Sequence, residues 1–148
     1  MKQIHYSKGY KYQLDEDYVH VLLVPVPHPI DHPFFRICGT ELIVKVGYAW
    51  DGPSGPTIDT DTFMRGSLVH DVLYQCIVLK LIPMEYKDAA DDELVLICYE
   101  DYMSAARRWW VGKGLDIGGD EALAHGPKPV LVSPKKQRVP LHGWAVAT

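Results

Sequence analysis

The chain has 148 residues, 47% of them hydrophobic and 23% charged, the size and composition of one globular domain around a single core. A formal charge of -4 and a pI near 5.9 exclude an overall basic field, so nucleic acid is not expected as a main ligand. Cys38, Cys76 and Cys98 are odd in number and lack a C-x-x-C spacing, so they are expected as reduced core thiols in a reducing cytoplasm rather than as disulfides or zinc ligands.

The N-terminus, Met1-Lys2-Gln3-Ile4-His5-Tyr6, lacks the apolar stretch of a signal peptide, and no apolar run is long enough for a transmembrane span. Strands are then predicted at Tyr10 to Leu14, Tyr18 to Val26, about Phe34 to Cys38, and Leu42 to Tyr48. These segments are rich in β-branched and aromatic residues and are punctuated by Asp, Gly and Pro. An antiparallel meander is the simplest assembly. Between them, Pro25, Pro27, Pro29 and Pro33 can neither donate to a ladder nor continue a helix, which makes that stretch a connection or an irregular edge.

The run Trp50-Asp51-Gly52-Pro53-Ser54-Gly55-Pro56 alternates residues that permit unusual backbone angles with residues that stiffen the chain, a loop built to hold one shape. After it the period changes to that of a helix. Phe63, Met64, Leu68, Val72, Leu73 and Cys76 predict a helix over about 61 to 80, with capping candidates from Asp59 to Thr62. A second helix is predicted from just after Pro83 through Leu94, Ile97, Cys98, Tyr102 and Ala105 to about Trp110, packed antiparallel on the first. The fold class is therefore α+β: N-terminal antiparallel strands on an antiparallel helix pair. Residues 1–112 form the domain, and residues 113–148, glycine-rich at first and carrying the Lys135-Lys136-Gln137-Arg138 cluster, are expected as a loosely structured C-terminal arm.

Chemistry concentrates at His70-Asp71. Leu68-Val69-His70-Asp71-Val72-Leu73-Tyr74 sets a titratable dipeptide among apolar neighbours, where an unpaired charge costs several kcal/mol, so both groups require partners. At about 100° per residue His70 and Tyr74 share a face and Asp71 points a quarter turn away. Asp91, on the opposing helix, is placed to fix one imidazole nitrogen and leave the other to take a proton from water, with Tyr74 donating its hydroxyl to Asp91. Asp71 and Asp51, with backbone carbonyls at Trp50, Gly52 and Gly55, make an all-oxygen set of the kind calcium prefers. A buried polar network that merely fastens the two helices is the alternative. Asp92 and Glu93 read as early-helix acids favoured by the helix dipole.

Other polar residues carry less. His28 and His32 have an i, i+4 spacing, but the intervening prolines forbid the helix that would make them chelate. Ser54 lacks the G-x-S-x-G elbow of a nucleophile and is read as shaping its loop. Arg107-Arg108-Trp109-Trp110 reads as a helix end packing its tryptophans, or as an interface anchor, and the Lys135 to Arg138 cluster as a solvated tail.

The runs Gly47-Tyr48-Ala49-Trp50-Asp51-Gly52-Pro53-Ser54-Gly55-Pro56, Arg65-Gly66-Ser67-Leu68-Val69-His70-Asp71-Val72-Leu73-Tyr74 and Ala90-Asp91 together resemble a family of small proteins of tailed phages and prophages, over residues 8–112. The resemblance implies a phage or prophage source and a place in or near the virion assembly genes, with no established activity; synthesis in the host cytoplasm is expected, with the virion as a further location. A more distant similarity links the order glycine loop, His-Asp-x-x-Tyr helix, then Asp on an antiparallel helix to secreted phospholipases of the A-two type. That similarity implies His70 as the base activating water, Asp71 as a calcium ligand, Tyr74 and Asp91 as the supporting network, and Tyr48 to Gly55 as the calcium loop. The cysteines that staple those enzymes are absent here, and Asp51 and the loop prolines are additions.

Two expectations follow. In one the chain is a calcium-assisted hydrolase acting on a lipid or other ester. In the other it is a non-catalytic virion or tail-associated protein that binds neighbouring subunits through Trp109-Trp110 and the C-terminal arm.

Overall fold

The computed structural model describes residues 4, 6–7, 12–52 and 61–124. In chain order its strands are β1 (Tyr6–Ser7), β2 (Tyr12–Leu14), β3 (Tyr18–Val21), β4 (Ile30–His32), β5 (Phe35–Cys38), β6 (Glu41–Val44) and β7 (Ala49–Trp50). Three helices follow, α1 (Asp61–Val78), α2 (Tyr86–Glu100) and α3 (Ala105–Ala124). Every strand pairing is antiparallel, in two sheets ordered β1-β2-β7 and β3-β6-β5-β4. The α+β class expected from the sequence is the one observed.

Alternation along the strands builds the core. Tyr18 and His20 of β3, Phe35 and Ile37 of β5, and Leu42 and Val44 of β6 face inward and are buried, while their neighbours face out. The predicted strand from Tyr18 to Val26 ends early, at Val21. Beyond it the Leu23 N–H donates to the Glu93 carboxylate at 2.7 Å, and the chain leaves the ladder. Ile30–His32 forms β4 inside the proline-rich stretch, with His32 stacked on Phe35 at 4.3 Å; it lies at a sheet edge, where flanking prolines forfeit no ladder bond. The predicted strand from Leu42 to Tyr48 is likewise split. A turn at Val46 and Gly47 redirects the chain so that Ala49 and Trp50 pair with β2 in the other sheet.

Helix α1 is buried on nearly every side, from Phe63 to Ile77, as befits a helix lying between the strands and a partner helix. It runs antiparallel to α2, since Arg65 meets Asp101 at one end and Tyr74 meets Asp91 toward the other. Gly66 permits the close approach: a Cβ there would lie 2.6 Å from Leu94 Cδ1 and 3.4 Å from the Leu94 carbonyl.

The second helix does not continue to Trp110. It stops at Glu100, Tyr102 takes a left-handed conformation (φ 62°), and the Met103 N–H closes back on the Cys98 carbonyl at 2.9 Å. Ser104 then caps α3, its Oγ accepting from the Arg107 N–H at 3.4 Å. Apolar periodicity runs across this break and hides it. Helix α3 extends to Ala124 and so crosses the boundary at residue 112 beyond which an arm was expected; residues 125–148, including the Lys135 to Arg138 cluster, lie outside the described residues.

Cys76 and Cys98 are core residues whose thiols burial pushes up to about 12, inert at neutral pH. Cys38 is exposed instead, because it takes an outward position at the end of β5. No helix among the described residues is long and apolar enough to cross a membrane.

Candidate active site at the helix pair

Two polar networks cross from α1 to α2, and their exposures differ. The first is sealed at its centre and reaches solvent at Glu100. Arg65, in its apolar run, reaches both carboxylate oxygens of Asp101 (2.8 to 3.1 Å), Glu100 at 2.7 Å and the Tyr18 hydroxyl at 3.2 Å. Tyr18 is 3.2 Å from Nδ1 of His20, and His20 Nε2 is 2.6 Å from Glu93 Oε1. Arg65, Asp101, His20 and Glu93 are each at most 2% exposed. Burial opposes the guanidinium charge of Arg65, and its hydrogen bonds to Asp101, Glu100 and Tyr18 more than offset that, so it stays protonated. This chain of bonds fastens β3 to both helices. Glu93 is thus a buried structural partner rather than a dipole-favoured surface acid, whereas Asp92 is exposed as expected.

The second network is the one centred on His70. His70 Nε2 lies 2.8 Å from Asp91 Oδ1, the Tyr74 hydroxyl donates to the same oxygen at 2.7 Å, and Lys87 donates to Oδ2 at 3.0 Å. The Tyr74 ring lies against the imidazole, with centroids 3.9 Å apart. Side-chain exposures here are 10% for His70, 15% for Asp91 and 16% for Lys87. Burial pushes the Asp91 carboxyl up, but hydrogen bonds from His70, Tyr74 and Lys87 outweigh it and hold the group below the usual carboxylate range. Asp91 is therefore an ionised acceptor, which assigns the imidazole proton to Nε2 and leaves Nδ1 as the nitrogen available for proton transfer. His70, Tyr74 and Asp91 come together as their spacing predicts. Lys87 is the member that sequence reasoning missed, although its i, i+4 relation to Asp91 is a visible signal.

Asp71 points away from this cluster. It is half-buried, and its charge acts on Tyr48, whose hydroxyl is pushed well above its usual range by burial first and by Asp71 second. Tyr48 donates to Gln75 Oε1 at 3.1 Å, so Asp71 sits on the side of α1 toward the chain leading into the loop. Trp50 is buried, its indole N–H donating to Ser67 Oγ on α1 at 3.1 Å, and Asp51 is exposed. Gly52 has φ 78°, and a Cβ there would strike the Tyr12 ring at 2.5 Å, so glycine is required on both counts. Ser54 and Gly55 lie outside the described residues. Among the described residues no group of three or more His, Cys, Asp or Glu side chains is arranged to hold a metal. The donors expected for calcium are instead carboxylates supplemented by main-chain carbonyls, and the chemistry of that oxygen-only set fits a hard cation.

No protein-family model, curated protein or solved structure matches the chain.

Proposed function

We propose that the chain is a hydrolase of esters, with His70 as general base and Asp71 as principal ligand of an assisting cation. The observation that carries the reading is the 2.8 Å contact of His70 Nε2 with Asp91 Oδ1, which orients the ring and dedicates Nδ1 to the proton of an attacking water. Tyr74 and Lys87 hold Asp91 in place and ionised, so the imidazolium formed on proton abstraction faces a fixed negative charge. Support also comes from the contrast between the two histidine–carboxylate pairs: His20 and Glu93 are sealed at 3% side-chain exposure, whereas His70 and Asp91 retain 10% and 15%.

Calcium bound by Asp71, with Asp51 and the backbone carbonyls of Trp50, Gly52 and Gly55, would supply positive charge for the oxyanion of ester cleavage. A lipid ester is the substrate class we assign, and a phage or prophage source belongs to the same proposal. The test is hydrolysis of phospholipid and simple ester substrates by the wild-type protein and by His70→Gln. Loss of turnover in a variant that unfolds at the wild-type urea midpoint supports the base, and equal turnover in both removes it.

A second reading is favoured by one observation. Trp109 and Trp110, in the first turns of α3, are 59% and 68% exposed and pack edge-to-face on each other at 5.3 Å. Exposed paired tryptophans suit a subunit contact, and on this reading the chain is a virion or tail-associated protein whose His70 network is structural.

A further inference from the structure

Helix α3 touches the His70 site through a glycine. A Cβ on Gly119 would lie 2.6 Å from the Tyr74 hydroxyl oxygen, 2.9 Å from Lys87 Cε and 3.1 Å from Lys87 Nζ. Both side chains are hydrogen-bonded to Asp91 and the Tyr74 ring lies against His70, so with α3 in this position a side chain at 119 would press on the Tyr74 oxygen. Gly112, Gly114 and Gly118 meet nothing within 4 Å. The close seat at position 119 is therefore specific to the contact with Tyr74 and Lys87.

Among the described side chains of α3, Val111 is buried, Leu115 and Leu123 are partly buried against the core and Arg108 lies over the Tyr99 ring, while Trp109 and Trp110 face solvent. Four glycines in one helix lower its intrinsic stability relative to alanine at the same positions. Helix α1, by contrast, is buried along its length, and α2 is bonded to it by both polar networks. A helix of poor propensity that buries one apolar side chain fully among those described belongs to the part of a fold that opens locally before the rest.

We propose that α3 is a displaceable cover over the His70 site, closed when Gly119 rests on Tyr74 and Lys87 and open when α3 swings away with the α1–α2 pair intact. Opening uncovers the Tyr74 hydroxyl and the Lys87 ammonium and with them the carboxylate they hold, so the state of α3 sets the environment of the imidazole. As regulation of hydrolysis this rests on the function proposed above; as a motion it does not.

Hydrogen exchange read by mass spectrometry on the full chain tests the motion without any turnover. The expected result is exchange in the peptides spanning residues 105–124 roughly 100-fold faster than in those of α1. Gly119→Val, which cannot seat, should leave α1 and α2 exchange within about twofold of wild type and raise acetylation of Lys87 by about fivefold or more. Exchange of α3 in step with α1 and α2, failure of Gly119→Val to fold, or unchanged Lys87 labelling in that variant would each overturn the cover. Absence of hydrolysis in the wild-type protein would instead count against the catalytic reading alone.

Discussion

Asp91→Asn isolates what the carboxylate contributes, because the substitution keeps the shape and removes the charge. Asp91 accepts from His70 and Tyr74 on one oxygen and from Lys87 on the other, at 15% exposure. An asparagine retaining its oxygen toward His70 and Tyr74 must turn its NH2 toward the Lys87 ammonium, a donor facing a donor. Hydrogen bonds to charged groups contribute about 1.5–3 kcal/mol each, and an unsatisfied buried donor costs a similar amount. The carboxylate's own desolvation cost is relieved at the same time, which leaves an expected loss of about 2–3 kcal/mol, a large share of the total for a domain of this size. The assay is urea unfolding across pH. Asp91 has a folded-state value below its unfolded one, so its contribution is fully present above the unfolded value near 3.9 and is lost as pH falls through the folded one. Wild type should therefore lose stability progressively below about pH 5, and Asp91→Asn should show a lower plateau at pH 7 and a shallower acid limb. A loss below about 0.5 kcal/mol at pH 7 with an unchanged acid limb would refute the assignment of Asp91 as an ionised acceptor.

Two other outcomes follow from the fold. Arg65→Met strands Asp101, which is 1% exposed, and should cost about 3–5 kcal/mol in the urea midpoint, with part recovered on adding Asp101→Leu. Tyr102→Gly should raise stability by about 1 kcal/mol in the same assay, since the side chain is 79% exposed and its φ of 62° suits glycine.

The elements that the sequence makes legible are those with a strong period and a local stop. Helix α1 was expected over about 61 to 80 and spans Asp61–Val78, because apolar residues recur on schedule and the loop precedes them. His70, Tyr74 and Asp91 were legible for a related reason. Helical phase puts the first two on one face, and antiparallel packing brings the third to meet them. The break at Tyr102 was not legible, since Tyr102, Ala105 and Trp110 keep an apparent helical rhythm and the buried Arg65–Asp101 pair that pins the turn depends on tertiary contact. Arg65, His20 and Glu93 escaped notice for the same reason. An arginine in an apolar helix, or a histidine alternating with valines, declares its burial only when its partner arrives from an element distant in sequence. Lys87 was within reach of local reasoning through its spacing from Asp91.

The central proposal is that Asp71 is the principal ligand of a cation serving His70. It is tested most directly by calorimetric titration of calcium into the full-length protein, with Asp71→Asn as control. The account predicts saturable binding to the wild type that the variant loses while keeping its urea midpoint. Absence of binding up to millimolar calcium, or binding undiminished in Asp71→Asn, would contradict it.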